Sequence, residues 1–315
     1  MGEKHRDKAR NRQGKLTTVA CWLVLAAVLL GILRFTSLGA RTKPTLDVSA
    51  SHEAAIRLWR PPGSPAHRLV AVGLGAADEL FLLDTGAAET VISPAAAARA
   101  GLIESARPVL AALNDSFGLH PLVRVDRLTL GARTYADFEA LILDLSHLEG
   151  VLGTELAGVL GMNVLGQSPF EIDFVRDVLR IGGSLTAFRA DLPPQLLESE
   201  FPLLDLDGTV VVELVIEDQT ALFVIDTGAV PTTVQPDRGF RGAVYGHQMT
   251  RFDAGGARSV HVSSVVLDSL SLGHVERRSF AVDLGEFNLL GADFLQGMAL
   301  FIDAGEGRGV LRSLR

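Results

Sequence analysis

Cysteine is almost absent from this sequence, which contains Cys21 alone, so no disulfide can form within the chain. Its eight histidines are scattered, and it has neither a His-Glu-x-x-His zinc motif nor a Gly-x-Ser-x-Gly nucleophile motif. We therefore predict no metal and no cofactor. Tryptophan and tyrosine are also scarce, at two each, whereas glycine is abundant, at 32, which favours a fold rich in turns.

Positive charge is scarce outside the N-terminus. Residues 1–15 carry six Lys or Arg and two Asp or Glu, a net charge of +4, so the rest of this −8 chain carries −12. A body this acidic repels a phosphate backbone. We therefore do not expect nucleic acid as a partner.

A run without charged residues, Thr17–Leu33, follows the basic segment. A helix of that length spans about 25 Å at ~1.5 Å per residue, the lower limit for crossing a bilayer. The basic residues before it should stay in the cytoplasm. We predict a cytoplasmic basic segment at 1–16, a single transmembrane helix at 17–36 and a polar linker at 37–53.

This topology would place the body of the protein outside the cytoplasm, which is the periplasm if the source is bacterial. The alternative is a cleaved signal peptide, since Ser37-Leu38-Gly39 is an acceptable cleavage site. Arg34 and the length of the apolar run favour an uncleaved anchor.

One stretch of fourteen residues occurs twice in the body of the chain. The copies are Phe81–Pro94, FLLDTGAAETVISP, and Phe223–Pro236, FVIDTGAVPTTVQP, which are identical at seven positions. In each copy an apolar strand runs into an aspartate, which is followed by Thr, Gly and Ala. A single aspartate of this kind would be an ordinary turn residue. Two copies give the chain two equivalent carboxylates, which a pseudo-twofold axis can bring face to face.

The order of elements around the two copies also repeats. A predicted hairpin precedes each aspartate, and an Asp-x-Leu-x-Leu-Gly segment follows each of them at the same interval. An apolar pair and a glycine come later, ending at Gly161 after Asp84 and at Gly291 after Asp226, and the first of these two intervals is the longer. The extra length of the first half lies mostly at Ser146–Ala157, which we expect to be a surface loop.

Many short strands between Gly and Asp turns predict an all-β fold, and the repeat predicts two similar lobes. We place the first lobe at 54–182, an interlobe linker at 183–200 and the second lobe at 201–315.

The doubled Asp-Thr-Gly-Ala motif and the later apolar-apolar-Gly segments resemble the aspartic peptidases. The alanine after the glycine is similar to the retroviral type rather than the pepsin type. The resemblance implies two acid-protease lobes related by pseudo-twofold symmetry, acting on polypeptide. It makes Asp84 and Asp226 the catalytic dyad, in which one carboxylate takes a proton from water while the other, protonated, donates to the peptide carbonyl oxygen.

The same resemblance implies that six neighbours of the dyad support its geometry: Thr85, Gly86, Ala87, Thr227, Gly228 and Ala229. The threonine hydroxyls would bond across to the opposite catalytic loop. The glycines would permit a tight turn with backbone N–H groups near the carboxylates. The alanines lack the hydroxyl that pepsin-like relatives commonly carry there, which removes a hydrogen-bond donor to the carboxylates.

Glycines farther along the chain also receive roles from the resemblance. Gly161 and Gly291 would let their strands pass close beneath the catalytic loops. Gly255 and Gly256, which follow Asp226, resemble the glycine-rich hairpin, or flap, that covers substrate in this family. The equivalent positions after the first aspartate fall on a turn without a glycine pair, and no tyrosine lies near either turn, unlike in pepsin-like enzymes.

Two functions remain open at this point. One is a membrane-anchored aspartic endopeptidase that is active as a single chain, a monomer, on extended polypeptide outside the cytoplasm. The other is a peptide-binding module that keeps the scaffold but does not cleave. Both halves retain Asp-Thr-Gly, and binding alone does not require paired carboxylates. The sequence therefore favours the endopeptidase.

Overall fold

The structure, a computed structural model, describes residues 44–47, 54–105, 108–113, 116–190, 197–206, 208–236, 240, 242, 244–253 and 256–313. The cytoplasmic segment and transmembrane helix expected at 1–36 lie outside these residues. Within the described ranges, no helix is long and apolar enough to cross a membrane.

The described chain is mostly β structure. The strands of the first half are β1 (Thr45–Asp47), β2 (Ala54–Trp59), β3 (Leu69–Leu74), β4 (Ala77–Leu83), β5 (Val91–Ile92), β6 (Val109–Leu113), β7 (Ser116–His120), β8 (Leu122–Leu130), β9 (Arg133–Ile142), β10 (Gly158–Leu160), β11 (Phe170–Asp173) and β12 (Val178–Ile181). The strands of the second half are β13 (Glu198–Pro202), β14 (Leu204–Leu206), β15 (Thr209–Ile216), β16 (Gln219–Asp226), β17 (Thr233–Val234), β18 (Val244–Asp253), β19 (Gly256–Leu272), β20 (Val275–Leu284), β21 (Leu289–Gly291), β22 (Met298–Asp303) and β23 (Arg308–Ser313). The helices are short: α1 (Pro94–Arg99), α2 (Ser146–Leu152), α3 (Met162–Leu165) and α4 (Leu185–Ala190).

Each half contains a closed barrel of six strands. In the first, the strands pair in the order β3, β4, β10, β5, β9, β8 and back to β3, with parallel pairing only between β4 and β10 and between β5 and β9. In the second, β15, β16, β21, β17, β20 and β19 pair in the same order and with the same directions. The two lobes therefore share one pairing scheme, and their inward-facing apolar residues form the core.

A further sheet joins the two lobes. Its strands lie in the order β2, β12, β11, β22, β23, β13, three from each half, and every pair is antiparallel. The central pair, β11 with β22, aligns Ile172 with Leu300, both fully buried. This sheet ties the lobes together by backbone hydrogen bonds as well as by apolar contact.

Both segments predicted as linkers contain regular structure. Within 183–200, helix α4 forms and β13 begins, because Ser199 and Phe201 alternate with exposed residues and face the interior of the joining sheet. Within 37–53, β1 pairs with the 134–136 part of β9. The strands β1 and β13 form by backbone pairing to distant strands, and local composition does not reveal such pairing.

The insertion at Ser146–Ala157 is not the surface loop that we expected. Its first part is helix α2, which ends at Gly153 with a φ of 69°. Leu152 and Leu156 are buried, and the Leu152 carbonyl accepts a hydrogen bond from the Gly63 N–H at 2.9 Å. The insertion thus packs against the loop that joins β2 to β3.

Candidate active site

Two equivalent strands carry the predicted aspartates. Asp84 follows β4 directly, and Asp226 is the last residue of β16. The apolar residues before each aspartate are buried in their barrel, Leu83 and Ile225 among them. Burial of these strand ends anchors each carboxylate at the surface between the lobes.

The structure brings the two carboxyl groups together. Each carboxyl is close enough to the other to influence its ionisation, and both aspartates are partly exposed. A Cβ atom at Gly86 would lie 2.3 Å from Asp226 Cγ, and one at Gly228 would lie 2.4 Å from Asp84 Cγ. Neither glycine has a positive φ, so the expected tight turn does not explain them. Glycine is required at both positions because the opposite carboxylate occupies the space that any side chain would need.

The protein around the dyad makes both carboxyls harder to ionise. Burial raises the pKa of Asp84, and hydrogen bonds from Asp226 and from the Gly86 and Ala87 N–H groups partly oppose this. The pKa of Asp226 is raised well above its ordinary value by burial and by the charge of Asp84. Because the two carboxyls interact, their titration belongs to the pair and not to either aspartate alone.

The two threonines form a symmetric set of hydrogen bonds between the catalytic loops. The Thr85 hydroxyl donates to the Ile225 carbonyl at 2.6 Å and accepts from the Thr227 N–H at 3.2 Å. The Thr227 hydroxyl donates to the Leu83 carbonyl at 2.8 Å and accepts from the Thr85 N–H at 3.1 Å. Each hydroxyl therefore crosses to the opposite lobe, and the two loops hold each other in place.

The later glycines lie against the catalytic loops. A Cβ at Gly161 would lie 2.9 Å from the Ala87 carbonyl oxygen, and one at Gly291 would lie 2.8 Å from the Ala229 carbonyl oxygen. The strands that lead to them run parallel to β4 and β16. Close backbone approach explains both glycines.

A polar residue two positions after each of these glycines also supports a catalytic loop, and sequence reasoning missed both. Asn163 accepts from the backbone N–H and the hydroxyl of Thr90, at 2.9 and 2.7 Å. Asp293 accepts from the same two groups of Thr232, at 2.9 and 2.7 Å. The repeated Gly-x-Asn/Asp spacing was a signal that could have identified them.

A hairpin forms at the place in the sequence where the flap is predicted, and a second hairpin forms at the equivalent place in the first half. In the second half, β18 and β19 pair as far as Asp253 with Gly256, so Gly256 begins the returning strand. Gly255 lies outside the described residues. In the first half, β6 and β7 pair as far as Leu113 with Ser116. Both hairpins therefore turn at nearly the same interval after an aspartate, although only one has a glycine pair.

His67 is a third residue that the sequence did not reveal. It is 6% exposed and lies in the loop that joins β2 to β3. Its Nε2 is 3.0 Å from the Gly228 carbonyl of the opposite catalytic loop, and its Nδ1 is 2.7 Å from Ser64 Oγ. Burial lowers the pKa of His67, and the charge of Asp84 is among the effects that oppose this.

In the described part of the chain, no three His, Cys, Asp or Glu side chains converge as metal ligands. No curated protein matches this sequence. A family model does match, over less than half of the chain, and the matched segment contains Asp84 and Gly161. Residues 72–164 match the family described as aspartyl protease, which supports an aspartyl protease family for this chain.

Proposed function

We propose that this protein is a membrane-anchored aspartic endopeptidase that hydrolyses extended polypeptide outside the cytoplasm. The observation that carries the proposal is the position of the carboxyl groups of Asp84 and Asp226, which meet where the two lobes join, each against the glycine of the opposite motif. Two carboxylates in contact cannot both ionise easily, so one keeps a proton and the pair divides the roles of acid and base.

The reaction needs only these two groups and water. The ionised carboxylate removes a proton from a water molecule as the water attacks the peptide carbonyl carbon. The protonated carboxyl donates its hydrogen to the carbonyl oxygen, where negative charge develops. As the C–N bond breaks, the carboxyl that took the proton of the water gives it to the departing nitrogen, and the other carboxylate takes back a proton from a hydroxyl of the tetrahedral intermediate, which restores the starting pair. The threonine hydrogen bonds hold the carboxyls in the relative position that both proton transfers require.

The two hairpins support an extended peptide as the substrate. An extended chain offers backbone N–H and C=O groups at regular spacing, which the strands of a hairpin can bind regardless of side-chain identity. Such binding would position an internal bond at the dyad and so favours endopeptidase over exopeptidase activity.

The proposed location and assembly rest on the sequence. The basic segment at 1–16 and the uncharged run Thr17–Leu33 support an N-terminal anchor with the body exported. One chain supplies both aspartates, which supports activity as a monomer.

Incubation of the full chain with a mixed peptide library tests this function. We expect new termini at internal bonds with the wild type and none with Asp84→Asn. Asp78→Asn, which removes an exposed carboxylate beside the turn between β3 and β4, is the matched control and should cleave normally. Peptide binding without new termini in any variant would instead support the non-cleaving module.

A further inference from the structure

We propose that His67 is a positioning residue for the dyad, which ties the second catalytic loop to the first lobe and, when protonated, keeps the shared proton on Asp226 and the negative charge on Asp84. The inference rests on the proposed function and assigns the two aspartates different roles. Asp84 would then be the base that activates water, and Asp226 the acid.

The hydrogen bonds of His67 are compatible with both of its protonation states. A carbonyl oxygen only accepts, so Nε2 carries a hydrogen and donates it to the Gly228 carbonyl at 3.0 Å. The Ser64 hydroxyl, 2.7 Å from Nδ1, can either donate or accept. In the neutral ring Nδ1 accepts from Ser64, and in the imidazolium Nδ1 donates to it. The ring can therefore gain a charge without losing either bond.

The loop that carries His67 is held rigidly. The guanidinium of Arg68 is fully buried and donates to the carbonyls of Pro65, Ala66 and His67 itself, each at 2.9 Å. Gln296, from the second lobe, donates to the Ala66 carbonyl at 3.1 Å. These bonds hold the imidazole in position against the opposite catalytic loop.

This contact breaks the pseudo-twofold symmetry of the site. His67 precedes Asp84 by the same interval in sequence as Thr209 precedes Asp226. The Thr209 hydroxyl donates to the Leu206 carbonyl at 2.8 Å, within its own lobe. A group that can carry positive charge therefore reaches Gly228 of the opposite lobe, the residue that lies against the Asp84 carboxyl, whereas the equivalent position of the second lobe has a neutral hydroxyl that bonds within its own lobe.

The backbone around the two carboxyls is asymmetric in the same direction. Asp84 Oδ1 accepts from two N–H groups, those of Gly86 at 2.8 Å and Ala87 at 3.1 Å. Asp226 Oδ1 accepts from the Gly228 N–H at 2.9 Å. The Ala229 N–H divides its hydrogen bond between the Asp226 carboxyl and the Asp226 backbone carbonyl, which it meets at 3.3 Å. Hydrogen bonds to a carboxylate favour its ionised form, so this arrangement also places the charge on Asp84.

Three charged groups act on the ring besides its burial. Asp84 and Asp293 raise the pKa of His67, whereas Arg68 lowers it. Burial is the largest effect and lowers that pKa, so the imidazolium forms only at acidic pH. Coupling between two sites is reciprocal, so the imidazolium must in turn favour the ionised form of Asp84. Protonated His67 therefore extends the singly ionised dyad to lower pH.

Histidine NMR on the full chain measures this coupling without any cleavage, so its outcome is independent of the proposed function. The His67 resonance is assigned by its loss in His67→Gln. In Asp84→Asn the pKa of His67 should fall, because a negative charge that raises this pKa is gone. In Asp226→Asn the pKa of His67 should rise. Asp84 then no longer shares a proton and is ionised throughout the pH range in which His67 titrates. An unchanged His67 pKa in both variants would overturn the proposal.

Kinetics supply a second, separate test. His67→Gln keeps a donor for the Gly228 carbonyl but cannot become charged. We expect the acidic limb of its kcat/KM to move to higher pH by roughly 0.5–1 unit, as expected when an opposite charge near a carboxyl is lost. His274→Gln, which removes an exposed imidazole, should leave the limb in place. A purely structural role for His67 predicts an unmoved limb in His67→Gln, and that result would refute the charge bias.

Discussion

The residue type at two positions beside the dyad is determined by the carboxylate that lies opposite. Gly86 and Gly228 each face the carboxylate of the other lobe, at distances that no Cβ atom could tolerate. Gly150, in helix α2, has open space around the position of its absent side chain. The chain thus offers both kinds of glycine for comparison.

Alanine at these positions should therefore have opposite effects. Gly86→Ala would place its Cβ 2.3 Å from Asp226 Cγ, so the carboxyls must separate. We expect loss of cleavage and a decrease in the free energy of unfolding of about 1–3 kcal/mol. Gly150→Ala should retain activity and raise that free energy by roughly 0.5–1 kcal/mol, because alanine favours the helix. Urea unfolding and peptide cleavage measure both, and equal behaviour of the two variants would contradict the steric account.

Ala87 and Ala229 should influence the pH range of activity. A serine hydroxyl at either position could donate to the ionised carboxylate and lower the pKa of the pair. Such a bond is worth about 1.5–3 kcal/mol, or one to two pKa units before water compensates. For Ala87→Ser/Ala229→Ser we expect the acidic limb of kcat/KM to move to lower pH by about one unit. Ala98→Ser, on the exposed face of α1, is the control, and a limb that stays or moves upward would show that these alanines do not set the ionisation.

At the scale of elements, the catalytic loops depend on each other as well as on their own lobes. Each threonine hydroxyl satisfies one carbonyl and one N–H group from the opposite half, and both threonines are almost completely buried. A buried backbone group that loses its partner costs about 1–3 kcal/mol. The interface between the loops therefore contributes to stability as well as to geometry.

Removing the hydroxyls should reveal this mutual dependence. Thr85→Val leaves the Ile225 carbonyl and the Thr227 N–H without a partner, so we expect a loss of about 2–4 kcal/mol in the free energy of unfolding. Thr227→Val should behave alike, and the double variant should lose less than the sum because the two share one network. Thr220→Val, on the exposed surface of β16, should change stability by less than about 0.5 kcal/mol. Strict additivity of the two core substitutions would argue against a shared network.

At the scale of the whole molecule, the joining sheet and the dyad make the two lobes one unit. Three strands of each half form that sheet, and the catalytic aspartates proposed here lie far apart in one chain. An equimolar mixture of Asp84→Asn and Asp226→Asn should therefore be as inactive as the double variant, because each chain retains one aspartate. Recovery of cleavage in the mixture would mean that chains exchange lobes and that the active unit is not a monomer.

The proposed anchor leads to a prediction about topology. Because basic residues precede the uncharged run, the body should face the outside of the cell and stay bound to the membrane. Protease added to sealed cells or spheroplasts should digest the body, while a cytoplasmic marker stays intact. Protection of the body would contradict the orientation, and recovery of the body as a soluble mature form would favour the cleaved signal peptide.

Local pattern and internal repetition were enough to locate the strands and the two aspartates. Apolar runs that end in turn residues predict strands because strand formation depends on short-range alternation, and the run before each aspartate is a strand, β4 in the first half and β16 in the second. The repeat identified Asp84 and Asp226 as equivalent before any geometry was known. That inference needed no contact between them, because identical sequence in two places indicates identical local structure.

Tertiary structure alone decided the contacts between distant segments. The sequence contains no local signal that His67 reaches the Gly228 carbonyl, 161 positions away, or that α2 packs under the loop that carries His67. It also suggested a turn as the reason for Gly86, whereas the reason is a carboxylate from the other lobe. The His67 contact and the constraint on Gly86 depend on how the two barrels meet, whereas the α2 contact depends on how two segments of the first lobe pack together. Periodicity within a strand reports which face is buried, and it carries no information about which residue of another lobe lies against that face.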